Sequence, residues 1–561
     1  MNRLYYGDCL TVMQEMSLGS VDLIYLDPPF QSNRDYNAIY QDETGRPLPD
    51  QIEAFCDTWT LDADRERAIR AMPVLMREHG IEDEIAEFWR LWMNALRKTN
   101  PRLLAYLSYM VQRLLPMRGL LKPTGSLYLH CDPTASHYIK VMLDGLFGHE
   151  NFRNEIVWRR TGAHGRAKRW GPIHDTLLFY SRGKKYTWNR VFEAYDPEYI
   201  ENFYRFKDDH DRYRLVTLDG PGTRKGDSGQ PWRGVNPTDK GRHWELPPDR
   251  ALPDWFDFPE GYSGMTIQER LDVLDAAGLI YWPPRGSVPQ YKRYLSVSAG
   301  NPVQDIVSDI RPIGSQAKER LGYNTQKPIE LLERIIAASS NPGDVVFDPF
   351  CGCATTLEAA HRLGRRWIGI DIAIHAIKRV AKIRLEERLK LVEGTDFTID
   401  GVPRNLEGAR DLWTRDKYHF QKWAVEEVDG FVTTRRGSDG GIDGRLYFAM
   451  PQTSPTARDP LRSMVIEVKG GKNVGIGVVR DLRGVLEREE AEMAGLIVMD
   501  DPGPRKRANF EREMAAAGDL DVFGTLYPRM QLLTVEEIIG GARFNTPGAV
   551  GKGAGQAALA V

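Results

Sequence analysis

Residues 341–371 read NPGDVVFDPFCGCATTLEAAHRLGRRWIGID, and this stretch decides the fold. Asn341-Pro342-Gly343-Asp344 is turn chemistry, and VVFDPF at 345–350 is an apolar run of strand length. Small residues follow, then a helical stretch at about 356–363, then the strand WIGID. Strand, small-residue loop, helix and strand in that order specify a unit in which a ligand approaches the backbone at the carboxyl end of a strand. Asp371 stands 23 residues after Asp348, about the ~20-residue spacing at which an acid reaches ribose hydroxyls. The pyrophosphate fingerprint GxGxxG is missing, so a nucleoside without phosphates, such as S-adenosylmethionine, fits better than a dinucleotide.

Working outward, 329–339 has helical spacing before the turn. Toward the N-terminus, VDLIYLD at 21–27 is an apolar strand stopped by Pro28 and Pro29, which cannot continue a ladder. Between about 62 and 121 the spacing is helical, Pro123-Thr124-Gly125 is a turn, and SLYLHCD is another strand. Strands alternating with helices predict an α/β, doubly wound, mainly parallel sheet. From about 185 to 305 the chain is dense in Gly, Pro and Trp with weak periodicity, which predicts an inserted irregular module. After about 400 the pattern restarts, with a helical stretch to Val428, the polar run RRGSDGGIDGRLYF and the strand SMVIEVK. The expected division is therefore 1–400, a smaller α/β domain over 401–540, and a disordered tail over 541–561.

The chain has 561 residues, 42% hydrophobic and 27% charged, which excludes disordered, collagenous and membrane classes. No run approaches the ~20 apolar residues of a membrane span, and MNRLYYGDCLTVM lacks a signal-peptide pattern, so a cytoplasmic protein is expected. Five cysteines, with no pair of CxxC elements, argue against a disulfide framework or structural zinc. The net charge of −3 means that any nucleic-acid surface is local. One basic stretch stands out: residues 153–185 hold nine Lys or Arg against two acids, by charge alone a solvated face, and only together with the catalytic motifs below are its arginines expected to contact DNA.

Asp27-Pro28-Pro29-Phe30 supplies what methylation of an exocyclic amine requires. The amino nitrogen of adenine or cytosine is a poor nucleophile, because its lone pair is delocalised into the ring. Acceptors must hold its hydrogens while it pyramidalises. Asp27 and the Pro28 carbonyl are those acceptors, the prolines fix the carbonyl's direction, and Phe30 is expected to stack on a base removed from the helix.

These pieces resemble the amino-methyltransferases of DNA, in the permuted class whose catalytic DPPF-type motif precedes the cofactor motif. The resemblance covers about residues 2–395, and the target-recognition region falls in the insert. Tyr6-Gly7-Asp8-Cys9, DPPF, GSLYLHCD, NEIVWRR, HDTLLFYSR, ERLGYNTQKP and DPFCGCATT match in order. The resemblance implies S-adenosylmethionine as cofactor, with Asp8, Gln326, Lys327, Asp348, Phe350, Gly352, Thr355 and Asp371 lining its side, and double-stranded DNA as substrate. Family loops usually read DPFxGxGT, and Ala354 replaces the second glycine here. Asp rather than Ser at position 27 resembles adenine-N6 more than cytosine-N4 enzymes. The insert, with WRGVNPTDKGRHW and KRYL, is similar to type III modification subunits.

In the C-terminal part, Asp443 lies in GGIDG, and strand alternation puts Glu467 and Lys469 on one face. Two carboxylates, Asp443 and Glu467, can hold Mg²⁺, and Lys469 can orient a water. The order resembles PD-(D/E)xK nucleases, and SDGGIDG is similar to Mrr-like restriction endonucleases, over about 415–500. Asp439 and Glu427 are candidate helpers. No GxxxxGK[ST] occurs, so no standard P-loop is present. The expectation is an adenine-N6 DNA methyltransferase fused to a Mg²⁺-dependent endonuclease-like domain, a restriction-modification pair in one chain. The rival is a cytosine-N4 enzyme whose C-terminal domain only binds DNA. A homodimer is a possible assembly, and a separate helicase-type restriction subunit is compatible with the sequence but not implied by it.

Overall fold

The computed structural model of the chain describes residues 1–29, 59, 61–162, 168, 170–284, 288–314, 317, 319, 326–374, 376–433, 442–449, 461–472 and 474–547. Arg190–Gln304 forms one compact unit, and Met1–Asn189 with Asp305–Val561 forms the other.

The larger unit is built on a nine-stranded sheet. Its strands are β1 (Asn2–Tyr6), β2 (Val21–Leu26), β3 (Leu121–Cys131), β4 (Phe152–Arg159), β5 (His174–Ser181), β6 (Ile306–Val307), β7 (Val345–Asp348), β8 (Arg366–Asp371) and β9 (Phe397–Asp400). Their order is β6-β4-β5-β3-β2-β7-β8-β1-β9. The run from β3 to β9 is parallel throughout, and only β5 is antiparallel to its neighbours. The sheet is therefore mixed.

Both faces of the sheet are covered, which is why β2 and β7 read as near-continuous apolar runs rather than alternating ones. Ile24, Leu26, Leu127, Leu129, Phe347 and Ile370 face one core. It is shared with α1 (Cys9–Gln14), α2 (Ala63–Glu78), α3 (Asp83–Thr99), α4 (Pro101–Leu120) and α5 (Ser136–Phe147). The alternate residues Leu23, Tyr25, Tyr128 and Val346 face a second core with α6 (Ile329–Ser339) and α7 (Thr355–Arg362). Pro123-Thr124-Gly125, expected as a turn, lies inside β3. The register jumps from Val21↔Leu121 to Leu23↔Ser126, and this bulge absorbs the extra residues.

The second core does not end at residue 400. It continues through α8 (Leu406–Arg415) and α9 (Lys417–Glu427) into a five-stranded sheet. That sheet has the order β10 (Phe431–Val432), β11 (Gly444–Ala449), β12 (Leu461–Lys469), β13 (Met493–Val498) and β14 (Met530–Thr534). Strands β12, β13 and β14 are parallel, and β11 is antiparallel to both its neighbours. Residues 541–547, expected to belong to a disordered tail over 541–561, are described and in part packed. Phe544 is buried against Gly495, and Asn545 exchanges hydrogen bonds with the Gln531 side chain. Residues 548–561 lie outside the described residues.

Arg190–Gln304 has its own aromatic core, including Tyr213, Trp232, Trp244, Tyr262 and Tyr294, around a four-stranded antiparallel sheet. No helix among the described residues is long and apolar enough to cross a membrane.

Candidate active site

Four neighbouring parallel strands, β2, β7, β8 and β1, each end in or just before an acid: Asp27, Asp348, Asp371 and Asp8. Strand spacing of about 4.8 Å gathers these acids at one edge of the sheet. From β2 the chain crosses to β3 on one side, and from β7 it crosses to β8 on the other. The switch point lies between β2 and β7, where an α/β sheet opens a crevice for ligands. The two loops singled out from the sequence, DPP and DPFCGCATT, leave the sheet there.

Asp27 is held by Lys327, whose ammonium donates to Oδ2. Both are largely buried. Lys327 immediately precedes the Pro328 cap of α6, so this contact joins residues 300 positions apart. Gln326 donates to the Glu319 carbonyl at 2.6 Å. Pro28 and Pro29 follow Asp27 directly, and Phe30 lies outside the described residues.

Of the residues expected on the cofactor side, Asp348, Phe350, Gly352 and Thr355 lie at the loop after β7 and Asp371 bonds to it, whereas Lys327 is turned to Asp27 and Gln326 to the Glu319 carbonyl. The Asp371 carboxylate accepts from the Gly352 amide at 2.9 Å and from the Ala373 amide at 2.8 Å. Ala354 stands with φ 59° and ψ 29° just before α7. The left-handed backbone favoured by glycine is thus kept with alanine, at a cost of about 1 kcal/mol. Thr355 and Thr356 open α7 and are buried. Asp8 caps α1 by accepting from Leu10 N, and it receives both contacts of Arg113 Nη2, at 2.7 and 3.1 Å.

Burial pushes the Asp348 carboxyl up to about 7; Thr356 and the Phe350 amide oppose the rise, and the charges of Asp27 and Asp371 add to it. The folded pKa lies above the ordinary value, so the folded state keeps a proton that the unfolded chain releases. The associated stability is present below about pH 4 and is lost as pH rises through about 7. Asp348→Asn is neutral at every pH. Its stability relative to wild type should therefore increase by up to about 4 kcal/mol between pH 4 and 8. Thermal melts across that range check this, and a constant difference would refute it.

Several site residues carried no readable signal. Arg113 and Tyr109 come from α4, with the guanidinium 3.5 Å from the Tyr109 ring centre, and Tyr109 contacts Phe350 at 6.5 Å between centroids. Beside β2, His130 bonds Tyr25 Oη at 3.0 Å and Asp175 at 3.2 Å, and Arg160 meets Asp175 at 2.9 Å. Burial alone raises the Asp175 carboxyl, but His130, Arg160 and Lys327 outweigh it and hold it below the ordinary range. The one available hint was an ionisable residue within each of two apolar strands, His130 in GSLYLHCD and Asp175 in HDTLLFYSR.

The basic stretch divides. Arg153 and Arg182 bond to carbonyls of this chain, and Arg160 serves Asp175, so these three are structural. Arg159, Lys168, Lys184 and Lys185 are exposed, and Arg166 and Arg169 lie outside the described residues. Trp158 is buried and donates to the Ile310 carbonyl at 2.9 Å.

The second constellation is brought together on β11 and β12. The Asp443 carboxylate accepts from the Val468 amide at 2.7 Å, between Glu467 and Lys469. Lys469 Nζ lies 2.6 Å from Glu467 Oε1. The other oxygen, Oε2, is buried with no hydrogen-bond partner, and burial raises this carboxyl. The charged groups felt at Glu467 are Lys469 and Asp481, and its orphaned oxygen is an acceptor of the type a divalent cation takes. No group of three or more His, Cys, Asp or Glu among the described residues is arranged to hold a metal. Glu427, a candidate helper, is engaged elsewhere. It accepts from Trp423 Nε1 at 3.0 Å and pairs with Lys378. Asp439 lies outside the described residues.

Comparison with known proteins shows the family of the chain. A family model described as DNA methylase matches residues 21–382. The chain is 37% identical over 279 residues to the type II methyltransferase M.EcaI of Enterobacter cloacae, covering 50% of this chain and 57% of that protein. It is 26% identical over 377 residues to the Mod subunit of the type III restriction-modification enzyme StyLTI of Salmonella typhimurium, covering 64% of this chain and 50% of that protein. A stretch of 56 residues, 10% of this chain and 19% of the relative, is 59% identical to the DNA adenine methyltransferase YhdJ of Escherichia coli K12. The chain spans about half the length of the first two relatives. The family match begins with β2 and runs past β8, so it takes in both loops at the switch point and three of the four strand-end acids. On that match, the chain belongs to the N6/N4 DNA methylase family.

Proposed function

We propose that this chain transfers a methyl group from S-adenosylmethionine to adenine N6 in double-stranded DNA. The observation that carries the reading is the convergence of Asp27 with Asp348, Asp371 and Asp8 on one edge of four adjacent strands. The Asp348 carboxyl, raised by burial and by neighbouring acids, marks an edge whose negative charge a cationic ligand would relieve. S-adenosylmethionine is such a ligand, and when bound it supplies a methyl group made electrophilic by sulfonium. Asp8, Asp348, Phe350, Gly352, Thr355 and Asp371 would hold it. Asp27 and the Pro28 carbonyl take the hydrogens of the target amine, which localises its lone pair. Lys327 orients the Asp27 carboxylate. Asp at position 27 and the adenine-methyltransferase name of the Escherichia coli relative support adenine over cytosine.

For the C-terminal sheet we infer a Mg²⁺-dependent nuclease, with Asp443 and Glu467 holding the ion and Lys469 orienting water. The orphaned Glu467 oxygen supports it.

Purified protein incubated with unmethylated DNA and labelled S-adenosylmethionine, without divalent metal, should yield N6-methyladenine by nucleoside mass spectrometry. N4-methylcytosine would overturn the base assignment, and no product from folded protein would overturn the activity. With Mg²⁺, wild type should cut unmethylated DNA, and Lys469→Ala should cut at least about 100-fold more slowly. Absence of wild-type cutting would leave DNA binding as the role of this sheet.

A further inference from the structure

The edge of the sheet that carries Asp8 and Asp371 is not bounded by methylase elements alone. α9, which follows the last strand of the central sheet, lies against it. The Tyr6 and His419 rings meet edge to face with centroids 4.5 Å apart. Glu426 Oε2 accepts from the Ile374 amide at 3.0 Å, three residues beyond Asp371. His419, Lys422 and Glu426 fall three and four residues apart, so one face of α9 presents all three. The opposite face carries Phe420, Ala424 and Val425 into the core beside β11 and β12. A Cβ at Gly444, next to Asp443, would meet Val425 at 2.4 Å. α9 is thus clamped between the two sheets.

Two polar atoms on the Asp8 side have no hydrogen-bond partner although both are buried: Tyr6 Oη and His419 Nε2. An unmet buried polar atom is costly, and two on touching rings call for a polar ligand. Burial holds the His419 imidazole at about 4, so it is neutral at neutral pH, with one nitrogen donating and the other accepting. Lys422 is a cation felt at the Asp371 carboxylate, and His419 feels Asp8. A heteroaromatic base with a sugar offers donors and acceptors of the kind this pair of rings and the acids lack.

We propose that α9 forms a wall of the cofactor pocket, with His419 and Lys422 as binding and positioning residues for the nucleoside part of the cofactor. The proposal rests on the reading that Asp8 and Asp371 line that pocket. Its consequence is that the C-terminal part completes the methyl-donor site. Cofactor occupancy is then felt by the helix packed on β11 and β12.

The test uses the full chain and S-adenosylhomocysteine as probe. Calorimetric titration should show the dissociation constant raised about tenfold by Lys422→Met and by His419→Phe, with the unliganded melting temperatures preserved. Lys422→Arg should restore most of the affinity, which a purely structural role would not predict. Asp371→Ala is the control for the pocket and should raise the constant more. Hydrogen exchange in residues 417–427 should slow on adding the probe. If Asp371→Ala weakens binding while both α9 variants stay within twofold and exchange in 417–427 is unchanged, α9 is no part of the pocket. If Asp371→Ala also leaves binding intact, the pocket reading falls and takes this proposal with it.

Discussion

Alanine at position 27 is expected to slow methyl transfer to DNA by about 10²- to 10³-fold while leaving S-adenosylhomocysteine binding within a few-fold of wild type. The split follows from position. Asp27 directly follows β2, on one side of the switch point, whereas Asp348 and Asp371 end β7 and β8 and Asp8 lies two residues beyond β1 on the other. Losing the carboxylate removes the acceptor that localises the amine lone pair, an interaction strongest in the transition state, so kcat should fall and KM should change little. The substitution also removes one partner of Lys327 in a largely buried setting. Melting temperatures must therefore accompany the kinetics, and Lys327→Met separates the two effects. If Lys327 only orients Asp27, its loss should cost less than the loss of Asp27 itself. Folded Asp27→Ala protein that methylates DNA at the wild-type rate would sink the assignment.

The acids at the strand ends could be read from the sequence because each closes a short apolar run, and such runs are local. Asp27 after VDLIYL, Asp348 after VVF and Asp371 after WIGI announce both the strand and the place where it stops. The parallel sheet was legible for the same reason. What could not be read is whatever depends on distant partners. Arg113 reaches Asp8 across 105 residues, and Tyr25 reaches His130 across the same separation. No periodicity marks either contact. Pro123-Thr124-Gly125 has turn chemistry, yet pairing with β2 draws it into a strand at a bulge. The change of pattern near residue 400 was visible, but α9 packs back onto the first sheet through His419, which meets the Tyr6 ring, and Glu426, which accepts from the Ile374 amide. A sequence marks where a pattern restarts; it does not mark which older surface the new elements cover.

Arg384→Met is expected to destabilise the protein by about 3–5 kcal/mol, and the double substitution Glu358→Leu with Arg384→Met should recover most of that loss. Glu358 lies in α7, the helix that follows the DPFCGCATT loop, and Arg384 begins a run of wide, π-helical turns over Arg384–Arg388. Their side chains are 1% and 0% exposed, with 2.6 Å between Nη1 and Oε2, so both charges are almost fully desolvated. Removing the arginine leaves a buried carboxylate with Arg362, 2.5 Å away and half exposed, as its remaining partner. That partner places the cost toward the lower end of the range. An apolar pair of similar volume removes the uncompensated charge altogether, so the double variant should approach wild type. Urea titrations of the two single variants and the double give the coupling directly. A single-variant cost below 1 kcal/mol would show that Arg362 and water suffice. A large cost with no recovery in the double would show that the contact acts through packing of α7 rather than through charge. If the expected pattern holds, the pair does not raise net stability. It fixes how the helix behind the DPFCGCATT loop meets the segment that leads into the C-terminal part of the chain.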